Sequence, residues 1–293
     1  MYHFDIFVHK MKRIKLIALV AAAAMMVACD PDDDETSAYN DTVPGVKSIC
    51  EQAIYDSVVT DEYVYTTVWD NSTGLIKSYK TEVYAVVTDS AGVTGKIMDY
   101  WSIENYKWNT SRQTAQIAFQ SHWYDRPANE WQDGVSFTDA LVFDNDWKLI
   151  QETHDGVTST YTYTGKYISS STGNLPTQYK WKNGDLTQTT ERGKSTTIQY
   201  TDQVNTLADG FDPTMWNCIG LYHCLGLMGA HTMHLPAKIT EEFEVDGQPY
   251  SQTLCFEYET GSDGKIAQIK TYYLDDYGQP DASCAIRIYT LNY

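Results

Sequence analysis

The stretch YKWKNGDLTQTT, residues 179–190, restricts the fold of this chain more than any other. Asn183-Gly184 supplies the positive φ that a two-residue type I′ turn needs. The flanking runs alternate, with Tyr179 and Trp181 on one side and Lys180 and Lys182 on the other. A period of two with a tight reversal describes an antiparallel hairpin, not a helix. Arg192-Gly193 marks the next reversal, after which Thr196, Ile198 and Tyr200 return in phase. Turn signals recur as DNSTG (70–74), DSAG (89–92), FDND (143–146), HDG (154–156), DGQP (246–249) and GSDGK (261–265). Between them the chain is rich in Tyr, Val, Thr, Ile and Trp, which suit strands.

Strand runs at this spacing predict an all-β protein: a large curved antiparallel meander sheet or barrel-like fold over residues 46–293. Two smaller domains are the alternative organisation. A weak internal repeat supports a sheet built of like hairpins. Paired aromatics precede a glycine turn and then an aliphatic: Tyr161, Tyr163, Gly165, Ile168; Tyr179, Trp181, Gly184, Leu186; Phe256, Tyr258, Gly264, Ile266. A unit of this kind buries its apolar face only against neighbours, so several are needed. One segment breaks the alternation. In TMWNCIGLYHCLGLMG (214–229) apolar residues recur near helical spacing, interrupted by Gly220 and Gly226. It predicts one short helical or loop insertion pressed against the sheet.

NLPTQYKWKNGDL (174–186), GLMG (226–229) and HLPAKI (234–239) resemble a family of Bacteroidota outer-membrane lipoproteins with a porin-like fold and no established activity. The resemblance is clearest over residues 161–293 and weaker over 46–150. It implies a large curved antiparallel sheet, and it carries no catalytic residues to this chain.

The first 45 residues read as an address. Lys12, Arg13 and Lys15 precede the uncharged run LIALVAAAAMMVA (16–28), and Cys29 follows. A basic region, a short apolar region and a small residue before the cut describe a secretory signal. The run is shorter than the roughly 20 residues a spanning helix needs. Residues 1–28 therefore read as a signal peptide, with the true start expected at Met11. Met26-Val27-Ala28-Cys29 resembles the bacterial lipobox, with Met26 where the pattern usually has Leu. That resemblance implies lipidation of Cys29 and anchorage to a membrane by its acyl chains. Residues 29–45 form an acidic linker. Asp30, Asp32, Asp33, Asp34 and Glu35 repel one another and stay solvated. The same string resembles the surface-export signal of Bacteroidota lipoproteins, which implies the outer face of the outer membrane.

The whole chain carries a formal charge of −18. Removing 1–28 takes away four basic residues and one acidic residue, leaving −21. A body this acidic excludes non-specific binding to nucleic acid or anionic lipid. The charged alternate faces (Lys180, Lys182, Gln188, Gln199) argue against a lipid-facing barrel wall, although IRIYTLNY at the C-terminus superficially resembles a membrane-barrel strand. No G-x-S-x-G or H-E-x-x-H motif is present, and no catalytic residue, cofactor or metal is assigned. Cys218, His223, Cys224, His231 and His234 are metal-ligating types, but their spacing matches no standard site. They read as packing residues. Cys218–Cys224 is the nearest candidate disulfide, the default being mostly buried thiols.

HWYDRPANEWQDG (122–134) is the strongest binding candidate. Trp123, Tyr124 and Trp131 offer planes that stack on sugar faces, and Asp125 and Arg126 offer hydrogen-bonding groups. Packing of these rings back onto the sheet is the competing reading. The chain is thus expected to be a non-catalytic surface lipoprotein that binds a glycan or other small molecule. A structural envelope lipoprotein is the alternative, and a glycoside-directed enzyme the third reading.

Overall fold

The computed structural model describes residues 46–293 apart from 71, 89–91, 174, 208–211 and 217. The leader, Cys29 and the acidic linker lie outside the described residues. The strands are β1 (Ser48–Tyr55), β2 (Val58–Trp69), β3 (Ile76–Thr88), β4 (Thr94–Asn109), β5 (Thr114–Asp125), β6 (Glu130–Phe143), β7 (Leu149–His154) and β8 (Val157–Thr164). They continue as β9 (Tyr167–Ser171), β10 (Thr177–Lys182), β11 (Asp185–Glu191), β12 (Lys194–Val204), β13 (His234–Val245), β14 (Gln248–Thr260), β15 (Ile266–Tyr273) and β16 (Ile286–Asn292). Each pairs antiparallel with its neighbours in sequence, and β1 pairs with β16, so the sheet closes into a barrel. At closure Ile49 faces Leu291, Glu51 faces Tyr289 and Ala53 faces Arg287.

Directly opposed residues share a face, so the register sorts inside from outside. Ile49, Tyr79, Tyr106, Ile117, Leu141 and Ile269 belong to the inner phase and to one buried cluster, against which Tyr65 and Tyr179 pack. Lys80 (opposite Thr66 and Ile103), Lys180 (opposite Gln188), Lys238 (opposite Gln199) and Lys270 (opposite Glu257) belong to the outer phase. The last strand follows the same rule. Tyr289 and Leu291 turn inward, so its aromatic phase faces the barrel interior and not a bilayer.

The sequence repeat has a structural cause at one end of the barrel. Trp108, Tyr163, Trp181, Tyr200, Tyr258 and Tyr293 each donate from the ring to a backbone carbonyl of the preceding strand. The acceptors are Ile76, Leu149, Ile168, Leu186, Pro236 and Ile266, at 2.6–2.9 Å. Thr67 plays this part in the first hairpin, donating to the Val46 carbonyl. Ladder pairing thins here: β11 and β12 pair only from Gln188↔Thr197 to Glu191↔Lys194. A carbonyl beyond the last pair would be orphaned without such a donor. Two residues before the buried aliphatic of five repeats the chain takes a positive φ: Gly74, Gln113, Trp147, Gly184 and Gly264. Glycine dominates the position because it tolerates that conformation.

The described residues between β12 and β13 (205–207, 212–216 and 218–233) fold into this end as a cap. It holds a 3-10 turn (Pro213–Met215) and one turn of helix, α1 (Leu221–Cys224). The Asp212 carboxylate accepts from Thr214 N, Thr214 Oγ1 and Asn205 Nδ2 at 2.6–2.9 Å and starts the 3-10 turn. Leu207, Cys224, Leu225 and Met228 pack against inward residues of the wall, and Met215 joins Leu186, Ile198, Ile239 and Leu254. Backbone bonds stitch cap to wall: Leu149 N to Leu227 O, Ala230 N to Lys166 O, and Met233 N to Gly184 O. Gly229 of the GLMG motif lies against the Lys166 carbonyl at φ +83, where a Cβ would collide with it.

Candidate functional site: the lumen above the cap

A barrel of sixteen strands is wide enough to leave an aqueous channel unless something fills it. Here the cap fills one end. The other end, where the turns after β1, β3, β5, β7, β9, β11, β13 and β15 lie, is the mouth. Between them, inward-facing side chains form three polar groups on separate arcs of wall.

The first spans β4 to β8. Tyr106 donates to Glu104 at 2.7 Å, Tyr161 to Glu152 at 2.7 Å, and Tyr222 of the cap to Glu152 at 3.1 Å. His154 Nδ1 meets Asp139 at 2.8 Å. Burial pushes the Glu104 carboxyl up to about 7. The Tyr106 bond opposes the shift, and Asp139 and Glu152 add to it. Burial also raises Asp139, against the His154 bond. The second arc is on β12 to β14, where Lys194 reaches Glu241 at 2.5 Å and Gln252 donates to the same carboxylate at 2.6 Å. The third closes the barrel. Arg287 pairs with Glu51, which also accepts from Tyr65 at 2.7 Å, and the guanidinium lies 6.0 Å from the Tyr63 ring centre. Burial works against the Arg287 charge, yet Glu51 holds the group protonated. The cap supplies the floor: Trp216 lies 5.9 Å from Tyr65 and 6.4 Å from Tyr79, and Tyr222 reaches Glu152.

The β5–β6 hairpin stands at the mouth. Trp123 is opposite Tyr100, in the inner phase, and is 44% exposed. Tyr124 is opposite Trp131, in the outer phase, with ring centres 5.4 Å apart and planes tilted by 57°. The structure therefore brings Tyr124 and Trp131 together and places Trp123 on the opposite face. Asp125 accepts from Ala128 N at 3.2 Å and holds the turn. Arg126 makes two bonds to Asp99, at 3.0 and 2.6 Å. Other exposed apolar residues ring the mouth, among them Tyr55, Val58, Ile97, Val157 and Tyr250.

Of the metal-ligating types in the cap region, His234 bonds Asp185 at 2.8 Å, while the rings of His223 and His231 lie 4.7 Å apart and tilted by 48°. Cys218 and Cys224 are free thiols, as are Cys255 and Cys284. Among the described residues no group of three or more His, Cys, Asp or Glu is placed to hold a metal ion. Sequence reasoning did not single out the lumen carboxylates. A signal was present for two of them: Glu51 and Glu104 stand two residues from the buried Ile49 and Tyr106 of their own strands, whereas Glu152 is placed by its pairing with Leu141.

No family model matches the chain, and no curated protein matches it. Solved structures do. A porin-like protein from Bacteroides uniformis superposes with a TM-score of 0.58 at 9% identity, over 85% of this chain and 98% of the other. The chain has a porin-like fold. A porin-like protein from Bacteroides vulgatus aligns over 85% of this chain and 98% of the other, with a TM-score of 0.25 and 14% identity. A Bacteroides fragilis protein of unknown function aligns over 79% and 88%, with a TM-score of 0.15 and 7% identity.

Proposed function

We propose that this porin-like barrel is a non-catalytic binding protein of the cell envelope, which admits a small polar ligand through the mouth into the capped lumen. The observation that carries this reading is the contrast between an apolar, capped end and an opposite half whose inward-facing side chains are tyrosine, carboxylate, lysine and arginine. Conduction through a bilayer fits poorly. Mid-strand lysines on the outer face would each cost roughly 2–4 kcal/mol at the bilayer midplane. An aqueous barrel tethered by lipid at Cys29 accommodates them. The described chain enters the barrel at Val46, on the capped end. Surface display follows from the acidic export-like string.

A glycan is the first ligand class to test, because tyrosine and tryptophan planes beside carboxylates suit hydroxyl-rich rings. A glycan array with wild type, Trp123→Ala and Trp131→Ala checks it. Lumen entry predicts a several-fold loss for Trp123→Ala and little change for Trp131→Ala. The reverse order moves the site to the outer face of the hairpin. Absence of binding to any glycan leaves the structural envelope role as the better reading. The enzyme reading rests on Glu104, a carboxyl held near 7 beside two others, the environment split that acid–base pairs use. Hydrolysis of aryl glycosides by wild type, lost in Glu104→Gln, is its test.

A further inference from the structure

His223 is fully buried in the cap, and neither ring nitrogen has a hydrogen-bond partner. Its ring lies 4.7 Å from that of His231, centre to centre, at 48°. His231 Nδ1 is in turn 3.8 Å from Asp212 Oδ2. Buried polar groups are almost always satisfied, so a histidine without partners at the centre of a packed plug needs an explanation. We propose that the cap is an acid-released plug, held shut by the His223–His231 contact while both rings are uncharged.

The surrounding groups make the histidines the responsive pair. Within the cap, His223 faces His231, with Asp212 and the Cys224 thiol beside them. From the wall, Tyr200 of β12, Tyr258 of β14 and the C-terminal Tyr293 lie near Asp212, and Tyr79 of β3 near Cys224. Burial raises Cys224 and all four tyrosines, so they keep their protons through the range where histidine titrates. A first proton on His231 finds Asp212. A second, on His223, finds no acceptor and faces a charged ring. Burial and His231 accordingly hold His223 well below its ordinary value. The sign follows: a base whose pKa is depressed in the closed state weakens that state as pH falls below its open-state value. Release withdraws Trp216 and Tyr222 from the lumen floor, so the proposed site changes with it. The inference does not depend on a ligand being bound.

The test is the rate at which 4,4′-dithiodipyridine modifies Cys224 in the full chain, mapped by mass spectrometry and normalised to a free small thiol at each pH. Cys255, in the barrel wall, is the internal control. Between about pH 7.5 and about pH 5 the Cys224 rate is expected to rise up to about 30-fold, one proton acting 1.5 units below an ordinary histidine pKa. Cys255 and the far-ultraviolet circular dichroism should hold steady. His223→Phe, which keeps a ring in place, should flatten the Cys224 response. A flat response in wild type overturns the proposal without any variant. So does opening of Cys255 in step with Cys224, which would mean global unfolding, or an unchanged pH dependence in His223→Phe.

Discussion

The two ends of this barrel are built from one hairpin repeat and do opposite things. At the capped end each repeat contributes a buried aliphatic, and most add a ring or hydroxyl that donates to the preceding strand, while the cap fills the bore. At the mouth the same strands carry exposed rings and charged or hydroxylated side chains, and pairing ends in open turns. The difference teaches where stability and function separate along a strand. Packing sets the free energy at one end, and the other, on the proposed reading, is left free for recognition. Leu149→Ala tests this most severely. Leu149 is fully buried against the cap, so its truncation should cost about 2–5 kcal/mol. Val157→Ala, at the mouth and 40% exposed, should stay within about 0.5 kcal/mol. Urea denaturation of both variants measures the gap, and equal midpoints would break the comparison.

Glu104 lies on the boundary between the two regimes, and pH reads it. Its folded-state value near 7 lies above the ordinary 4.5. The unfolded chain therefore loses this proton first as pH rises. Stability from this group is present below about 4.5 and falls as pH rises to about 7, by up to about 3 kcal/mol. Glu104→Gln should remove that fall and leave the variant more stable than wild type near pH 8. Denaturant midpoints across that range decide it. A variant less stable than wild type at every pH would show that the carboxylate is held by partners and not merely buried.

The ring-to-carbonyl bonds give the next effect. Tyr200→Phe and Tyr258→Phe keep the ring and remove the donor, leaving the Leu186 or Pro236 carbonyl unpaired. Each should cost about 1–2 kcal/mol. The double variant should be close to additive if each acts within its own hairpin. A strong excess over the sum would mean that the capped end opens as one unit.

How much of this was legible beforehand follows the same division. Asn183-Gly184 and the phase of Tyr179, Trp181, Ile198 and Tyr200 reveal hairpins because turn chemistry and alternation are local. The observed φ values, +53 at Asn183 and +89 at Gly184, are those a type I′ turn needs. The aromatic-Gly-aliphatic repeat was visible as pattern, but its cause was not, since Tyr200 reaches a carbonyl fourteen residues away. A barrel-like fold was among the expectations and is what forms, but which strands close it was not legible: β1 meets β16 across nearly the whole described chain. The interior carboxylates Glu51, Glu104, Asp139, Glu152 and Glu241 come from β1, β4, β6, β7 and β13, and Glu51 meets Arg287 of β16 only through that closure. Gln113 and Trp147 hide two further repeats, because each takes the left-handed position without being glycine.

The smallest effect belongs to the loop that attracted most attention in the sequence. Arg126 bonds Asp99 through two nitrogens, but its side chain is 47% exposed and that of Asp99 32%. Water and salt screen such a pair, and holding two long side chains in one geometry offsets much of the attraction. The Asp99 bond raises the Arg126 pKa further above its ordinary value, so the guanidinium stays charged throughout the stable range and no pH dependence arises from it. Arg126→Ala should therefore cost about 0.2–1 kcal/mol and less in high salt. Asp99→Ala should match it, and the double variant should add little to either. If Arg126→Ala instead abolishes ligand binding while leaving the urea midpoint in place, this pair belongs to the recognition surface and the mouth extends outward over the β5–β6 hairpin. If it lowers the midpoint by as much as Tyr200→Phe, the mouth is not the soft end, and the contrast between the two ends fails at its weakest point.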